Sequence, residues 1–234
     1  MIVSIHQPAY LPWLGYFDKI ARSDIFILLD NVQFQKGSFQ NRNRILAKDG
    51  PIWLTVPLRT SGVLYITKLK DVSIDNSKNW RAKHLNAIRM CYSKSPRFAD
   101  FYPILSSFYE KEWHTLDSLC WAMLKYFNGL LGLTTPIFRG SEIGAYGSKS
   151  DLVLDLCKKA GATTYLSGAV GREYLNFDSF AEAGIAIQFQ NFAYPFYRQA
   201  YPGFVPNLAI IDLLMNEERY DRFIGRGQSV ASIP

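Results

Sequence analysis

Cysteine is scarce: Cys91, Cys120 and Cys157 are the only three in 234 residues. They fall in helix-like segments, show no C-x-x-C spacing and leave an odd thiol over. A disulfide scaffold or a cysteine zinc site is therefore not expected, and a reducing cytoplasm is the expected setting. Histidine is equally sparse, with His6, His84 and His114 far apart in the chain. Without an H-E-x-x-H helix, a G-x-S-x-G elbow or Cys/His metal spacing, neither a dedicated metal site nor triad hydrolysis is indicated. There is also no clean apolar stretch of the ~20 residues that a membrane span needs. The most apolar helix-like segment, Leu116 to Leu133, is interrupted by Lys125 and Asn128 and reads as a buried helix. The opening residues, Met1 to Pro8, carry no basic region ahead of an apolar stretch, so no secretory signal is expected.

What remains is the composition of a folded domain: 48% hydrophobic, 15% aromatic and 20% charged. Lys and Arg outnumber Asp and Glu by 26 to 20, a net charge of +6 that permits an anionic partner without naming one. Ile2–Ile5 is a short β-branched run that stops at His6-Gln7-Pro8, because proline lacks the amide hydrogen and biases its predecessor away from helix. Helical spacing follows from Pro12 through Leu14, Phe17 and Ile20 to Ser23-Asp24, and Ile25–Leu29 is continuously apolar, as in a strand covered on both faces. Strand, helix and strand give a parallel βαβ unit.

Asn43–Ala47 and Ile52–Val56 flank Lys48-Asp-Gly-Pro51, a hairpin signal. Ile66–Ile74 alternates weakly, and helical periodicity then runs from Ser77 to about Leu131, with Asp75 or Ser77 as the expected cap of the first helix. A second βαβ unit is read from Pro136–Phe138, Ser150–Ala160 and Thr163–Leu166. A short helix near Ser179–Ala183, a strand at Ile185–Phe189 and a closing helix at Leu208–Met215 complete the pattern. The expected fold class is α/β: a mainly parallel, Rossmann-like sheet with an added hairpin, in one domain carrying a helical insertion at about 77–131.

Open α/β sheets bind ligands outside the carboxyl ends of their strands. His6 and Gln7 end the first strand, Asp30 the second and Ser167-Gly168 a later one, so these residues are expected to share a crevice. His6, as acid or base, and Asp30 are the catalytic candidates; the alternative for His6 is a histidine hydrogen-bonded to hold the Pro8 to Pro12 loop. Ser167-Gly-Ala-Val-Gly-Arg172 can cradle an anion through Gly168 and Arg172, and reads equally as a tight strand-to-helix turn with an exposed arginine; its spacing is neither G-x-G-x-x-G nor Walker A, so no cofactor is identified. The segment Gln33 to Arg44 interleaves Gln33, Lys36, Asn41 and Arg42 with Phe34 and Phe39. Amides that donate and accept, beside cations, suit a polyhydroxylated anion such as a sugar nucleotide; a charged edge strand explains the same composition. His84 shares a helical face with Arg81 and Ile88, where it either faces the crevice or serves as a satisfied interface residue. His114 reads as structural.

His6-Gln-Pro-Ala-Tyr-Leu-Pro-Trp-Leu-Gly-Tyr-Phe-Asp-Lys-Ile20, Leu29-Asp-Asn-Val-Gln33 and Asn41-Arg-Asn43 resemble the WbqC family. The similarity continues at Thr164-Tyr-Leu-Ser-Gly168, Gly171, Tyr174-Leu175, Pro195, Tyr197, Gln199 and Ile211-Asp-Leu-Leu214 with Asn216. Asn31 departs from the family pattern, which often has a second aspartate there, and Glu217 from a usual glycine. Family members often lie among genes for bacterial O-antigen or other surface-polysaccharide synthesis, which implies a transferase-like role on a sugar intermediate. Within the first motif Tyr10 and Trp13 join the substrate-binding candidates. The order strand, His-containing loop, helix, strand is also similar to nucleotidylyltransferases of the HIGH-motif class, but their second histidine is missing here.

Together these readings lead to the expectation of a transferase acting on a nucleotide-linked sugar. Gln7, Asp30, Gln33, Asn41 and Arg42 would orient the sugar, and Ser167, Gly168 and Arg172 would hold its anionic group. The alternative is a non-catalytic module binding nucleic acid or a partner enzyme through the basic 36–48 surface; nucleic acid is not the expected partner.

Overall fold

The computed structural model of the protein describes residues 1–59 and 66–224. Five parallel strands form the main sheet in the order β5-β2-β1-β6-β7, comprising β1 (Ile2–His6), β2 (Ile25–Leu28), β5 (Ile137–Arg139), β6 (Thr164–Ser167) and β7 (Ala186–Phe189). The chain steps outward from β1 to β2 to β5, then returns to fill the other side with β6 and β7. The strand order therefore reverses between β1 and β6.

Alternation along the strands sorts the core into two layers. Phe26 and Leu28 pack with α1 (Leu14–Ala21) and α4 (Leu116–Leu130) on one face, whereas Val3, Ile5, Ile27 and Tyr165 pack with α6 (Lys149–Lys159) and α7 (Phe177–Glu182) on the other. Helices on both faces explain why Ile25–Leu28 carries no polar residue: neither side of that strand meets water. Each such large side chain, once buried, contributes roughly 1.5–3 kcal/mol.

The hairpin, β3 (Arg42–Ala47) and β4 (Gly50–Thr55), forms a separate two-stranded sheet and does not extend the parallel one. Ala47 pairs with Gly50, so the turn is Lys48-Asp49 and Pro51 already lies in the strand. The hairpin packs beside α2 (Trp80–Tyr92) and α8 (Ile210–Asn216), while α3 (Phe98–Glu110) lies against α2. Ile66–Ile74 is not a strand: it holds a 3-10 turn at Leu69–Asp71 and isolated bridges, among them Gln33 to Lys68 and Ser73 to Thr115. Asn79, not Asp75 or Ser77, precedes α2, and the Asp75 carboxylate is spent on the Ser77 amide and hydroxyl. The four-residue α5 (Gly140–Ile143) has too short a pattern for the sequence to announce it. Among the described residues no helix is long and apolar enough to cross a membrane.

The loop from Pro8 to Trp13 carries a strained position. Leu11 is fully buried with φ +45°, in the left-handed region that costs an L-residue roughly 1–2 kcal/mol. Its carbonyl accepts from Asn43 Nδ2 at 2.6 Å, and the neighbouring Tyr10 amide bonds the Gln40 carbonyl at 3.1 Å. The Asn41-Arg-Asn43 segment thus fixes the loop that follows His6.

Candidate functional site

In doubly wound sheets the place where strand order reverses opens a crevice at the carboxyl ends. Here that place lies between β1 and β6, and His6 and Gly168 stand on its two sides. Pairing between the strands runs Ile2–Thr164, Val3–Tyr165 and Ser4–Leu166 and then stops. Even-numbered carbonyls of β1 face β2, since Ile2 O accepts from Asp24 N and His6 O from Leu29 N. Odd-numbered ones face β6, since Met1 O accepts from the Thr164 amide at 3.1 Å. The Ile5 carbonyl therefore points across the opening, and it accepts from Lys19 Nζ of α1 at 2.9 Å.

His6 is half-buried, with its ring against Tyr16 (4.6 Å between centroids) and Trp13 (5.5 Å). Its Nδ1 lies 3.0 Å from the Gln7 carbonyl, which can only accept, so Nδ1 carries the proton and Nε2 presents a lone pair. Burial, then the nearby Lys19 charge, lowers its pKa to about 3 against a smaller upward pull from Gln7. The imidazole is neutral at pH 7. Lys19, only 3% exposed, has its own pKa lowered by burial to about 7. Among the described residues no carboxylate pairs with it.

Gln7 is held in place: its Oε1 accepts from Gln40 Nε2 at 2.7 Å and its carbonyl accepts from Tyr16 Oη at 3.1 Å. Trp13 packs on Phe39 at 5.5 Å, and Phe39 on Trp53 at 5.7 Å, extending an aromatic wall from His6 toward the hairpin. Arg42 lies 4.2 Å above Trp53 and donates to the Gly37 carbonyl. On the opposite side, Gln190 beyond β7 donates to Gly15 O and to Asp18, both at 2.8 Å, drawing the 190–194 segment over the start of α1. Gly15 makes room for this, because an added Cβ would sit 3.0 Å from the Phe192 ring and 3.1 Å from Trp13 Nε1, tight enough that a ring would have to shift.

Several expected site residues have other work. Asp30 is fully buried and accepts from Arg139 (3.0 Å), the Ser141 amide (2.8 Å) and the Ser141 hydroxyl (2.7 Å), so it anchors the β5–α5 turn. Arg139 also pairs with Asp117 at 2.6 Å, and burial raises the Asp117 pKa. Tyr10 is fully buried, its hydroxyl shared between His84 Nδ1 (2.9 Å) and Tyr109. His84 is 6% exposed, its pKa lowered by burial to about 4, and it meets Trp80 and Tyr109 edge-on. This pair belongs to the core between the first loop and α2–α3, away from the sheet edge, as the interface reading of His84 allows.

Ser167 is 1% exposed and its Oγ turns toward Gly171, where an added Cβ would approach it to 2.0 Å, so a side chain at 171 would force Ser167 to move. Gly168 opens on free space, with nothing within 4 Å of an added Cβ. Arg172 is exposed and stacks 3.9 Å above Phe189 at the outer rim. Asn41 Nδ2 donates to Val56 O at 2.9 Å, tying down the hairpin, while Gln33 and Lys36 are exposed on the β2–β3 loop. The structure thus packs His6, Gln7, Trp13 and Tyr16 together at the end of β1, with Gly168 just beyond the end of the neighbouring strand β6 and Arg172 four residues further on.

Lys19 is the residue that sequence reasoning passed over. An apolar helix face surrounds it, and nothing in its spacing announces that the amine reaches a strand carbonyl. Asp212 was also missed as a carboxylate with a purpose: fully buried, it accepts from Tyr92 (2.7 Å), Tyr197 (2.7 Å) and Gln199 (2.9 Å), and burial raises its pKa. It clamps the 194–205 segment onto α8. Among the described residues no group of His, Cys, Asp and Glu is arranged to hold a metal ion.

The class defined by these features is a doubly wound α/β protein with His6 at the carboxyl edge where strand order reverses. The chain belongs to the WbqC-like protein family, whose model matches residues 7–222. It is 35% identical over 216 residues to a protein of Mycobacterium tuberculosis described as uncharacterized, covering 92% of this chain and 93% of that one. No solved structure matches.

Proposed function

We propose that the opening between β1 and β6 binds a nucleotide-linked sugar and that the protein transfers an acyl, aminoacyl or related group to it in cytoplasmic surface-polysaccharide synthesis. The observation that carries this reading is His6 at the carboxyl end of β1, neutral and with its Nδ1 proton held on the Gln7 carbonyl, so that Nε2 keeps its lone pair. A sugar hydroxyl or amine attacking an acyl carbonyl would pass its proton to Nε2 as the new bond forms and the acyl carrier leaves. Trp13 and Phe39 offer apolar faces for a sugar ring.

Thermal-shift titration across a panel of nucleotide sugars tests the reading, using wild type and His6→Ala. At 100 Kd a true ligand stabilises the folded state by ~2.7 kcal/mol. No stabilisation of the folded wild type by any member of the panel would contradict it. A second reading, a non-catalytic nucleic-acid-binding module, draws on one observation: Trp53 is 44% exposed, with Arg42 and Arg44 against its ring. That reading requires affinity to fall about three decades or more between 50 and 200 mM salt.

A further inference from the structure

The register of β1 and β6 dictates the next bond beyond Ser4–Leu166: the Gly168 amide should reach the Ile5 carbonyl. That rung is replaced. Lys19 Nζ takes the carbonyl at 2.9 Å, and the Gly168 amide is released from the ladder. Two donors therefore converge on one gap. Nζ has three N–H bonds and a single acceptor among the described residues, although the side chain is only 3% exposed. A buried cation without a carboxylate is costly, and one that keeps unused donors beside an open glycine is arranged for an anion.

We infer that the missing rung is an oxyanion site, in which Lys19 Nζ and the Gly168 amide hold a phosphoryl group of the substrate beside His6. The inference rests on the reading of this opening as the substrate site and names the part of the substrate that enters it. An anion there draws a proton onto Lys19, whose other titratable neighbours are His6 on β1 and the Cys157 thiol on α6, itself pushed up to about 12 by burial. The same anion offsets the repulsion that keeps His6 unprotonated, so loading the site makes His6 a stronger base.

Inorganic pyrophosphate is the probe, titrated calorimetrically into four proteins. Wild type should bind, and Lys19→Met should weaken binding at least tenfold. Gly168→Pro should do the same, because φ −76° already suits proline, an added Cβ meets nothing within 4 Å, and the ring nitrogen carries no hydrogen to donate. Gly168→Ala, which keeps that hydrogen, should bind like wild type. Folded wild type that ignores pyrophosphate, or equal binding in Lys19→Met and Gly168→Pro, would overturn the inference. So would a Gly168→Pro chain that cannot fold, since the amide would then be part of the framework. Nucleotide sugars that bind with no dependence on Lys19 would remove this inference and leave the proposed function; pyrophosphate held through Lys19 with no nucleotide sugar bound would do the reverse.

Discussion

Replacing Lys19 by Met should stabilise the protein, and by an amount that depends on pH. The folded state lowers the Lys19 pKa from 10.5 to about 7, so between those values the unfolded chain binds more protons and stability rises with pH. For a single group with these two values, linkage gives a penalty of about 4 kcal/mol at pH 7 that shrinks to about 2 kcal/mol at pH 9. Met fills a similar volume with no charge to desolvate, and the lost hydrogen bond to Ile5 O costs about 1 kcal/mol. The variant should therefore exceed wild type by about 3 kcal/mol at pH 7 and by about 1 kcal/mol at pH 9. Comparing the two proteins at each pH cancels the cysteine and tyrosine titrations they share. Urea denaturation at both pH values measures the quantity, and the change of about 2 kcal/mol in the difference is the sensitive part. An equal gap at pH 7 and pH 9 would refute the claim that the amine is buried without a counter-charge.

Other consequences follow from the same contacts. His6, with its pKa lowered from 6.5 to about 3, costs stability as pH falls below about 6.5, because the unfolded chain takes up the proton first; NMR should find its ring neutral at pH 5, and a midpoint near 6.5 would contradict this. Asp30→Asn leaves the Arg139 guanidinium with one carboxylate partner and should lower unfolding free energy by about 3 kcal/mol or more, read by urea denaturation. Gly171→Ala forces a methyl into Ser167 Oγ and should cost about 1–3 kcal/mol; adding Ser167→Ala should recover part of that, whereas strict additivity would show that the two side chains do not compete.

The parallel framework was legible because its strands advertise themselves. Ile25–Leu28 is too apolar to face water on either side, and Gly161 follows α6 with φ +70°, the left-handed position at which glycine commonly ends a helix. The hairpin was legible in place but not in register: an Asp-Gly pair marks a turn, yet Gly50 pairs with Ala47 and so belongs to the strand. Ile66–Ile74 misled because a few alternating apolar residues also suit a 3-10 turn whose Leu69 and Val72 fill the core. Within the candidate site, position at a strand end singled out His6 and Gly168. It could not separate them from Asp30, because only the structure shows Arg139 and Ser141 occupying that carboxylate. Tyr10 and Asp212 show that a family motif also records framework, since their partners lie 74 and 99 residues away for Tyr10 and 120 residues away for Asp212, at Tyr92.

A crystal structure of the protein soaked with a nucleotide sugar that stabilises it addresses the central claim most directly. The account places the phosphoryl groups between Lys19 Nζ and the Gly168 amide, with the sugar within hydrogen-bond reach of His6 Nε2. Ligand density elsewhere on the molecule, with that gap still closed by the Lys19–Ile5 contact alone, would contradict it.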